Sequence, residues 1–227
     1  MADELHPLWL EHLIQSEGPV DRVIEEQDSV VACAVSIPQP GQWFIDDVAI
    51  ADEERWSDLG GQVFALIPER PALTCVATRD QPRAEAAGAS GLTVVTSYWI
   101  RGTAPGAFDP CRIPAGLEVP ESPRHTFGRP LDPGADGALA FGDDDGGIVV
   151  GSPPITAPPV YDPGGTVCVI DRVVGFNRSR LLRAALAGAH QRGDVLVSVV
   201  CDECDAELQQ DLAAAAFQRT VDVFAWP

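Results

Sequence analysis

The stretch "VCVIDRVVGFNRSRLLRAALAGAHQRG", residues 167–193, combines the two patterns that decide the fold. Its apolar run to Val174 is typical of a buried strand, and its apolar residues after Asn177 recur at helical spacing. From Arg172 to Gly193 it contains five Arg and no Asp or Glu, although the whole chain has a net charge of −19. The stretch therefore predicts a strand that leads into a helix with a cationic first turn.

The start of this helix has the properties of an anion site. Asn177 is a favourable N-cap residue, and the first turn then holds residues 178–180. The first amides of a helix lack intrahelical partners and carry the positive end of the helix dipole, so they bind anions. Arg178 and Arg180 are unfavourable at that end of a helix, and a bound phosphate would reverse this effect. Two interpretations follow, a phosphate site or a solvated basic helix face.

A similar order of elements occurs twice in the chain. Residues 20–101 and residues 136–227 each predict a hairpin, a strand, a helix, a strand, a helix and a final strand. The segment "FIDDVAI" aligns with "VIDRVVG", which places Asp46 against Asp171 at an offset of 125 residues. A duplicated supersecondary unit explains this order. A chance similarity between two αβ segments is the alternative.

The repeat predicts two lobes and a linker. The N-terminal lobe covers residues 1–101, a Pro- and Gly-rich linker covers residues 102–135, and the C-terminal lobe covers residues 136–227. Of the 20 Pro residues, 12 fall between Gly102 and Gly164, a composition typical of irregular segments. The expected fold class is α/β (α+β), with a mixed, mostly antiparallel sheet flanked by helices in each lobe.

Charge and composition limit the classes of function. Hydrophobic residues make up 45% of the chain, which excludes a disordered protein. The negative charge disfavours nucleic-acid binding and favours a cationic small molecule or a basic protein surface as a partner. Acidity that serves solubility alone is the alternative. The first 101 residues hold 17 acidic residues and six Arg, a net charge of −11, against −7 for residues 136–227.

The sequence suggests neither a membrane-spanning segment nor a metal site. The opening residues fit neither a signal peptide nor a transit peptide, and no apolar run approaches the roughly 18 residues of a membrane span. A cytoplasmic protein is expected. Cys201 and Cys204 have the spacing of a redox or zinc motif, but a single pair lacks the second pair of ligands that a zinc site needs. No metal is expected, and the role of this pair stays open.

The order of elements resembles the GCN5-related N-acetyltransferase (GNAT) superfamily, here in tandem and with degenerate motifs. Members have a central mixed sheet that opens at its middle, where acyl-CoA binds. A loop and helix after the fourth strand hold the pyrophosphate, and "VIDRVVG" followed by "NRSRLL" occupies that place here. The resemblance implies acetyl-CoA as co-substrate and no metal. The residues that it places at the cofactor are Val173, Val174, Asn177, Arg178, Ser179, Arg180 and Leu181.

This sequence also departs from the family pattern. The family loop Arg/Gln-x-x-Gly-x-Gly/Ala has no counterpart Gly between Asn177 and Leu182. The frequent Tyr general acid of the family falls on Leu212 in the second half and on Ala87 in the first. These losses leave the predicted activity less supported than the predicted fold.

The resemblance predicts an acyl-CoA-dependent N-acyltransferase that transfers an acetyl group to a cationic small-molecule or peptide amine. Acetyl transfer to an ammonium group needs a base, and Asp171 is the base candidate, with Asp46 as its counterpart in the first half. Either carboxylate is alternatively a salt-bridged surface group. The N-terminal lobe is expected to be non-catalytic, because Glu53 and Glu54 at its equivalent helix start would repel a pyrophosphate. Two alternatives remain: a catalytically silent module that binds a basic protein or senses a ligand, and a DNA mimic.

Overall fold

The computed structural model describes residues 20–39, 41–106, 136–143, 146–151 and 165–226. These residues form two compact units. Unit 1 comprises residues 20–95 together with residues 221–226, and unit 2 comprises the described residues between 96 and 220. The predicted linker lies outside the described residues from residue 107 onward.

Unit 1 has a five-stranded sheet in the order β1-β2-β3-β4-β10, in which only the β3–β4 pair is parallel. The predicted mixed, mostly antiparallel sheet is therefore confirmed for this unit. Its elements are β1 (Val20–Glu26), β2 (Ser29–Gln39), β3 (Gln42–Ile50), α1 (Trp56–Ala65), β4 (Ala72–Ala77), α2 (Gln81–Ala89) and, from the end of the chain, β10 (Gln218–Trp226).

The first helix predicted in the N-terminal lobe, whose start holds Glu53 and Glu54, is divided in the structure. Asp52 accepts a hydrogen bond from the amide N–H of Glu54 at 3.1 Å, and a single 3-10 turn, Glu53–Arg55, precedes α1. The cap reaches only two residues along the chain, so the first turn is tighter than an α-turn. The predicted helix thus exists, but its α-helical part begins at Trp56.

The two helices of unit 1 pack closely because α1 has a glycine at their contact. A Cβ at Gly60 would lie 2.5 Å from the Cβ of Ala86 on α2. The neighbouring side chains Val63 and Phe64 are fully buried in the core of the unit. Trp226 of β10 closes this core, with its ring at 85° to that of Phe64 and its Nε1–H donating to the carbonyl of Ser90 at 2.9 Å.

Unit 2 repeats this architecture with the order β5-β9-β8-β7-β6, in which only the β8–β9 pair is parallel. The predicted sheet type is confirmed here as well. The elements are β5 (Thr93–Gly102), β6 (Leu139–Gly142), β7 (Ile148–Gly151), β8 (Val167–Val174), α3 (Arg178–Arg192), β9 (Leu196–Asp202) and α4 (Ala206–Ala214).

The helix predicted from the opening stretch is α3. The Asn177 side chain accepts the amide N–H of Arg180 at 3.3 Å, so the predicted N-cap is confirmed. Gly193 ends the helix with φ +91, a left-handed conformation that glycine adopts without a steric penalty. Arg180 and Arg183 are exposed, as predicted. The apolar face packs on the sheet of unit 2 through Leu181, Leu182, Ala185, Leu186 and Ala189.

The duplicated element order is confirmed, but the final strands are exchanged. Residues 221–226, at the end of the second repeat, pair with β4 in unit 1. Residues 96–102, at the end of the first repeat, pair with β9 in unit 2. The compact units therefore differ in these two segments from the lobes that follow chain order.

Among the described residues, no helix combines the length and the apolar character that crossing a membrane requires.

Candidate active site

A notch opens in unit 2 where its two parallel strands separate. The ladder between β8 and β9 runs from Val167 opposite Leu196 to Ile170 opposite Val199. Beyond this point β8 continues to Val174 and β9 to Asp202. On its other side β8 stays paired with β7 as far as Val174. β8 thus separates from β9 but not from β7, and its peptide groups beyond Ile170 that are not paired with β7 face the notch.

The notch contains a cavity of about 330 Å³ that leads to the start of α3. Its floor and one wall come from β8 and β9, and the remaining residues come from the first turns of α3 and α4. The residues that line it are Asp171, Arg172, Val173, Val174, Arg178, Val200, Asp202, Asp205 and Leu208. The structure therefore brings together four of the predicted site residues, namely Asp171, Val173, Val174 and Arg178.

Acidic residues from a later part of the chain pair with arginines of the cationic stretch. The Arg178 guanidinium lies 3.1 Å from a carboxylate oxygen of Asp205, and Arg172 lies 3.5 Å from one of Asp202. Arg192 pairs with the buried Asp194 at 2.7 Å. The cationic stretch seen in the sequence is thus partly neutralised in the fold.

Two arginines of the stretch stay exposed. Within the described part of the chain, Arg180 and Arg183 make no ion pair. The Nε–H groups of Arg178 and Arg172 are buried and have no hydrogen-bond partner among the described residues. Guanidinium donors and free helix amides suit an anionic group such as a phosphate. The donors at this end of the notch therefore fit the pyrophosphate of a nucleotide cofactor.

The two carboxylates predicted as bases occupy equivalent positions directly after the parallel ladders. Asp171 follows Ile170, the last paired residue of β8, and is only 2% exposed at the wall of the cavity. Asp46 follows Ile45, the last residue of β3 that pairs with β4, and is half-buried. A carboxylate at Asp171 is shielded from bulk water yet adjoins the notch.

Two other predicted site residues are engaged within the fold. The Leu181 side chain is 1% exposed, and its amide donates to the carbonyl of Asn177 at 3.1 Å. The Ser179 hydroxyl lies 3.5 Å from a carboxylate oxygen of Asp211. Leu181 therefore serves packing of α3. The amide of Arg180 is also engaged, by the Asn177 cap, so the candidate anion donors of the first turn are the amides of residues 178 and 179 and the guanidinium groups of Arg178 and Arg180.

Asp205 is a residue of the notch that the sequence interpretation did not single out. Its carboxylate caps α4 by accepting the amide N–H of Leu208 at 2.9 Å, and it also pairs with Arg178. Asp80 caps α2 in the same way, through the amide of Arg83 at 3.3 Å. The repeat offset of 125 residues and the N-cap pattern together were the signal that could have identified it.

Solved structures have a similar fold over the whole length of this chain. A GCN5-related N-acetyltransferase of Sphaerobacter thermophilus matches with a TM-score of 0.50 and 13% sequence identity, over 100% of this chain and 85% of that one. A GNAT-family acetyltransferase of Colwellia psychrerythraea matches with a TM-score of 0.50 and 8% identity, over 100% of this chain and 97% of that one. The chain has the GNAT fold. Neither a protein-family model nor a curated protein matches the sequence.

The notch between the parallel strands of the GNAT fold also occurs in unit 1. The ladder between β3 and β4 runs from Trp43 opposite Ala72 to Ile45 opposite Thr74, and the Thr74 hydroxyl donates to the carbonyl of Ile45 at 3.0 Å. Beyond it β3 continues to Ile50. A cavity of about 490 Å³ lies here, lined by Ala49, Ile50, Glu53, Trp56, Arg79, Asp80, Pro82 and Arg83.

This second notch of the GNAT fold holds an arginine of its own. Arg83 pairs with Asp80 at 3.2 Å and with the buried Asp47 at 3.7 Å. Its guanidinium also lies over the Trp56 ring, 5.6 Å from the centroid. Glu53 lines the cavity at the position that Arg178 has in unit 2. Each notch is therefore lined by two arginines and by carboxylates, and the two differ at the helix start, where unit 1 has Glu53 and unit 2 has Arg178.

The cysteines near the two notches are poor nucleophiles. Burial raises the pKa of Cys75, Cys168 and Cys201 to about 12 each, so their thiols are protonated at neutral pH. Cys201 is buried, Cys204 is exposed, and both are free. No cluster of His, Cys, Asp and Glu in the described ranges is arranged to hold a metal ion.

Proposed function

We propose that this chain is an acyl-CoA-dependent N-acyltransferase that transfers an acetyl group to a cationic amine, with acyl-CoA bound in unit 2. The observation that carries the proposal is the notch between β8 and β9, which leads to a helix start where Arg178 lines the cavity and Arg180 is exposed without an ion pair in the described ranges. In the GNAT fold this opening is available in both units. Unit 2 is preferred because Arg178 lies at its helix start, at the position where unit 1 has Glu53, which disfavours a phosphate.

The diverging strands supply the binding surface for the extended part of the co-substrate. Residues 172–174 stay paired with β7, Asp171 lies at a register shift of that ladder, and none of these residues pairs with β9. Backbone polar groups need partners, and an amide-bearing ligand can provide them as an added strand does. Val173 and Val174 would hold such a ligand from the β8 side, and the donors of residues 178–180 would hold its phosphates.

Acyl-CoA supplies an activated thioester carbonyl when it is bound. The residues of this chain must then remove a proton from the acceptor, because an ammonium group is not a nucleophile. The Asp171 carboxylate, at the wall of the notch, would accept that proton. Arg172, next in the chain, pairs instead with Asp202 at an N–O distance of 3.5 Å. A net charge of −19 favours the approach of a cationic acceptor.

Calorimetry with acetyl-CoA tests the binding half of this proposal. We expect a single site for wild type, and we expect release of free CoA thiol when spermidine or a lysine-containing peptide is added. Asp171→Asn is nearly isosteric and should bind acetyl-CoA with unchanged affinity while the transfer rate falls about 10²- to 10⁴-fold. Asp46→Asn is the matched control, since this residue has the same place in unit 1, and it should leave the rate unchanged.

A second candidate function is a catalytically silent module that binds a basic protein. It rests on a groove of about 690 Å³ between α1 and α2. Four carboxylates line the groove, no Arg is among its lining residues, and the Trp56 ring forms part of its wall. The carboxylates belong to Glu53, Glu54, Asp58 and Glu85. A basic peptide is the partner that this charge would attract.

One pair of measurements separates the two functions. Absence of acetyl-CoA binding at millimolar concentration, together with tight binding of an arginine-rich peptide that Glu53→Arg/Glu54→Arg abolishes, would establish the silent module. Acetyl-CoA binding with amine-dependent thiol release would establish the transferase, and the same double variant should then retain acetyl-CoA affinity.

A further inference from the structure

Phe176 is a fully exposed aromatic residue, with 100% of its surface accessible. It lies in the loop between β8 and α3, directly before the N-cap residue Asn177. The other large exposed hydrophobic residues of the described chain are Val23 and Val30, which are about half-exposed. Phe176 is thus the only aromatic side chain among them, and it adjoins the candidate phosphate donors.

The position of Phe176 usually gives a side chain a packing partner. A hydrophobic residue before the N-cap commonly packs against the fourth helical residue, which is Leu181 here. Leu181 is already part of the core of unit 2, and its Cδ1 atom would lie 2.9 Å from a Cβ placed at Gly147. The space around Leu181 is therefore filled by the β6–β7 turn, and Phe176 is left without this partner.

The backbone of the loop is held close to its neighbours. Gly175 has φ +128, and a Cβ at this residue would lie 2.6 Å from the Cα of Gly147. Only glycine fits both this conformation and this approach. The backbone at Gly175 therefore lies against Gly147, while the side chain of the next residue, Phe176, is exposed to solvent.

We infer that Phe176 stacks on the adenine base of acyl-CoA, an inference that rests on the function proposed above. Only Asn177 separates Phe176 from Arg178, so their Cα atoms are at most about 7 Å apart along the backbone. In the adenosine part of CoA a single ribose separates the base from the phosphates, so an aromatic ring beside guanidinium donors matches its chemistry. Aromatic stacking on a base also removes the exposed ring face from water.

The inference can be tested with two ligands, one that contains adenine and one that does not. Acetyl-CoA and S-acetylpantetheine share the thioester and the amides, and acetyl-CoA adds the phosphates and the adenine, so the Phe176→Tyr and Phe176→Leu variants are needed to assign an effect to stacking on the base. We expect Phe176→Ala to weaken acetyl-CoA binding about 5- to 100-fold by calorimetry and to leave the affinity for S-acetylpantetheine unchanged. Phe176→Tyr should restore wild-type affinity for acetyl-CoA, whereas Phe176→Leu, which is apolar but cannot stack, should not. The full exposure of Phe176 keeps all three variants folded.

Val30→Ala is the matched control, because it also truncates an exposed apolar residue, and it should change neither affinity. Equal affinities of wild type and Phe176→Ala for acetyl-CoA would overturn the inference alone. An equal loss for both ligands would also overturn it, since the base would then not be the group recognised. Failure of wild type to bind either ligand would instead overturn the proposed function.

Discussion

A substitution at Arg180 tests whether the first turn of α3 is a phosphate site or a solvated helix face. It is exposed, it makes no ion pair within the described ranges, and it lies in the first turn of α3. Arg180→Glu should weaken acetyl-CoA binding by about 1.5–3 kcal/mol, roughly 10- to 100-fold, because a charge-assisted contact is lost and a repulsive carboxylate is added. Calorimetry measures this loss.

Arg183→Glu is the control for the change in net charge. Arg183 is equally exposed on the same helix but lies beyond its first turn. Equal effects of the two variants, or none from either, would favour the solvated face. The thermal midpoints of both variants should match wild type, since neither side chain belongs to the packed face of α3.

Asp205 combines a cap and an ion pair, and two substitutions separate these roles. Asp205→Asn keeps a good N-cap acceptor for the amide of Leu208, whereas Asp205→Ala removes it and should cost about 1 kcal/mol of unfolding free energy. Both changes remove the closer carboxylate partner of Arg178 and leave Glu207, at 3.8 Å. Asp80→Ala, which removes the equivalent cap of α2, provides the matched control. Denaturant unfolding measures the stabilities.

We expect Asp205→Asn to be nearly as stable as wild type and to bind acetyl-CoA more tightly. If it were as destabilised as Asp205→Ala, the ion pair with Arg178 would be the main stabilising contribution of this residue.

The buried thiols predict a loss of stability in alkali. Burial raises the pKa of Cys168 from its ordinary value of 9.0 to about 12, and Cys75 and Cys201 change in the same direction. Between these pH values the unfolded chain ionises its thiols and the folded chain does not. The free energy of unfolding should therefore fall as the pH rises from 9 toward 12.

Urea unfolding at pH 8 and pH 10 measures this effect, with Cys204→Ser as the control because Cys204 is exposed. A maleimide at pH 8 should label Cys204 in the folded protein and should reach Cys168 only after unfolding. Labelling of Cys168 at the same rate as Cys204 would contradict this prediction.

Individual residues show which features of the site a sequence reveals. The N-cap role of Asn177 depends on the three residues that follow it, so it could be predicted, and the structure confirms it. The pairing of Arg178 with Asp205 joins residues 27 positions apart. No local pattern contains such a contact, so the sequence showed a cationic stretch that the fold partly neutralises.

At the scale of elements, Trp226 should be a main source of stability for unit 1. It is 7% exposed, packs against Phe64, donates to Ser90, and lies under the Arg70 guanidinium at 3.3 Å from the ring centroid. Trp226→Ala should cost about 3–5 kcal/mol of unfolding free energy, measured by denaturant unfolding. Trp226→Phe retains most of the packing and should cost much less.

Trp99 in unit 2 supplies the comparison for Trp226→Ala. It is only partly buried beside the core of that unit, so Trp99→Ala should be less destabilising. A smaller effect at Trp226 than at Trp99 would indicate that β10 contributes little to the core of unit 1.

The elements themselves were predictable because their signals are local. The short apolar run around "FIDDVAI" and the periodicity after Asn177 each specify an element within a few residues, and the structure has β3 and α3 there. The exchange of the final strands was not predictable. Residues 96–102 and 221–226 have strand patterns that fit either sheet, and their partners are decided by contacts across more than 90 residues of chain.

At the scale of the whole molecule, charge should govern encounter with the acceptor. The net charge is −19, and more than half of it lies in the first 101 residues. This charge attracts cations at long range, and dissolved salt weakens the attraction. We expect kcat/KM for a polycationic amine to fall several-fold between 20 mM and 300 mM NaCl. Stopped assays of CoA thiol release measure it, and a neutral amine acceptor should show no such dependence. An equal response of both acceptors would exclude steering by charge.

The exchanged strands also bear on how the chain is made. Synthesis proceeds from the N-terminus, so β3 and β4 leave the ribosome long before residues 221–226, which pair with the far edge of β4. That edge stays open in the nascent chain, and an open strand edge is a template for pairing with other chains. Unit 1 can therefore complete its sheet only after unit 2 has been translated, and the growing chain should depend on chaperones during that interval.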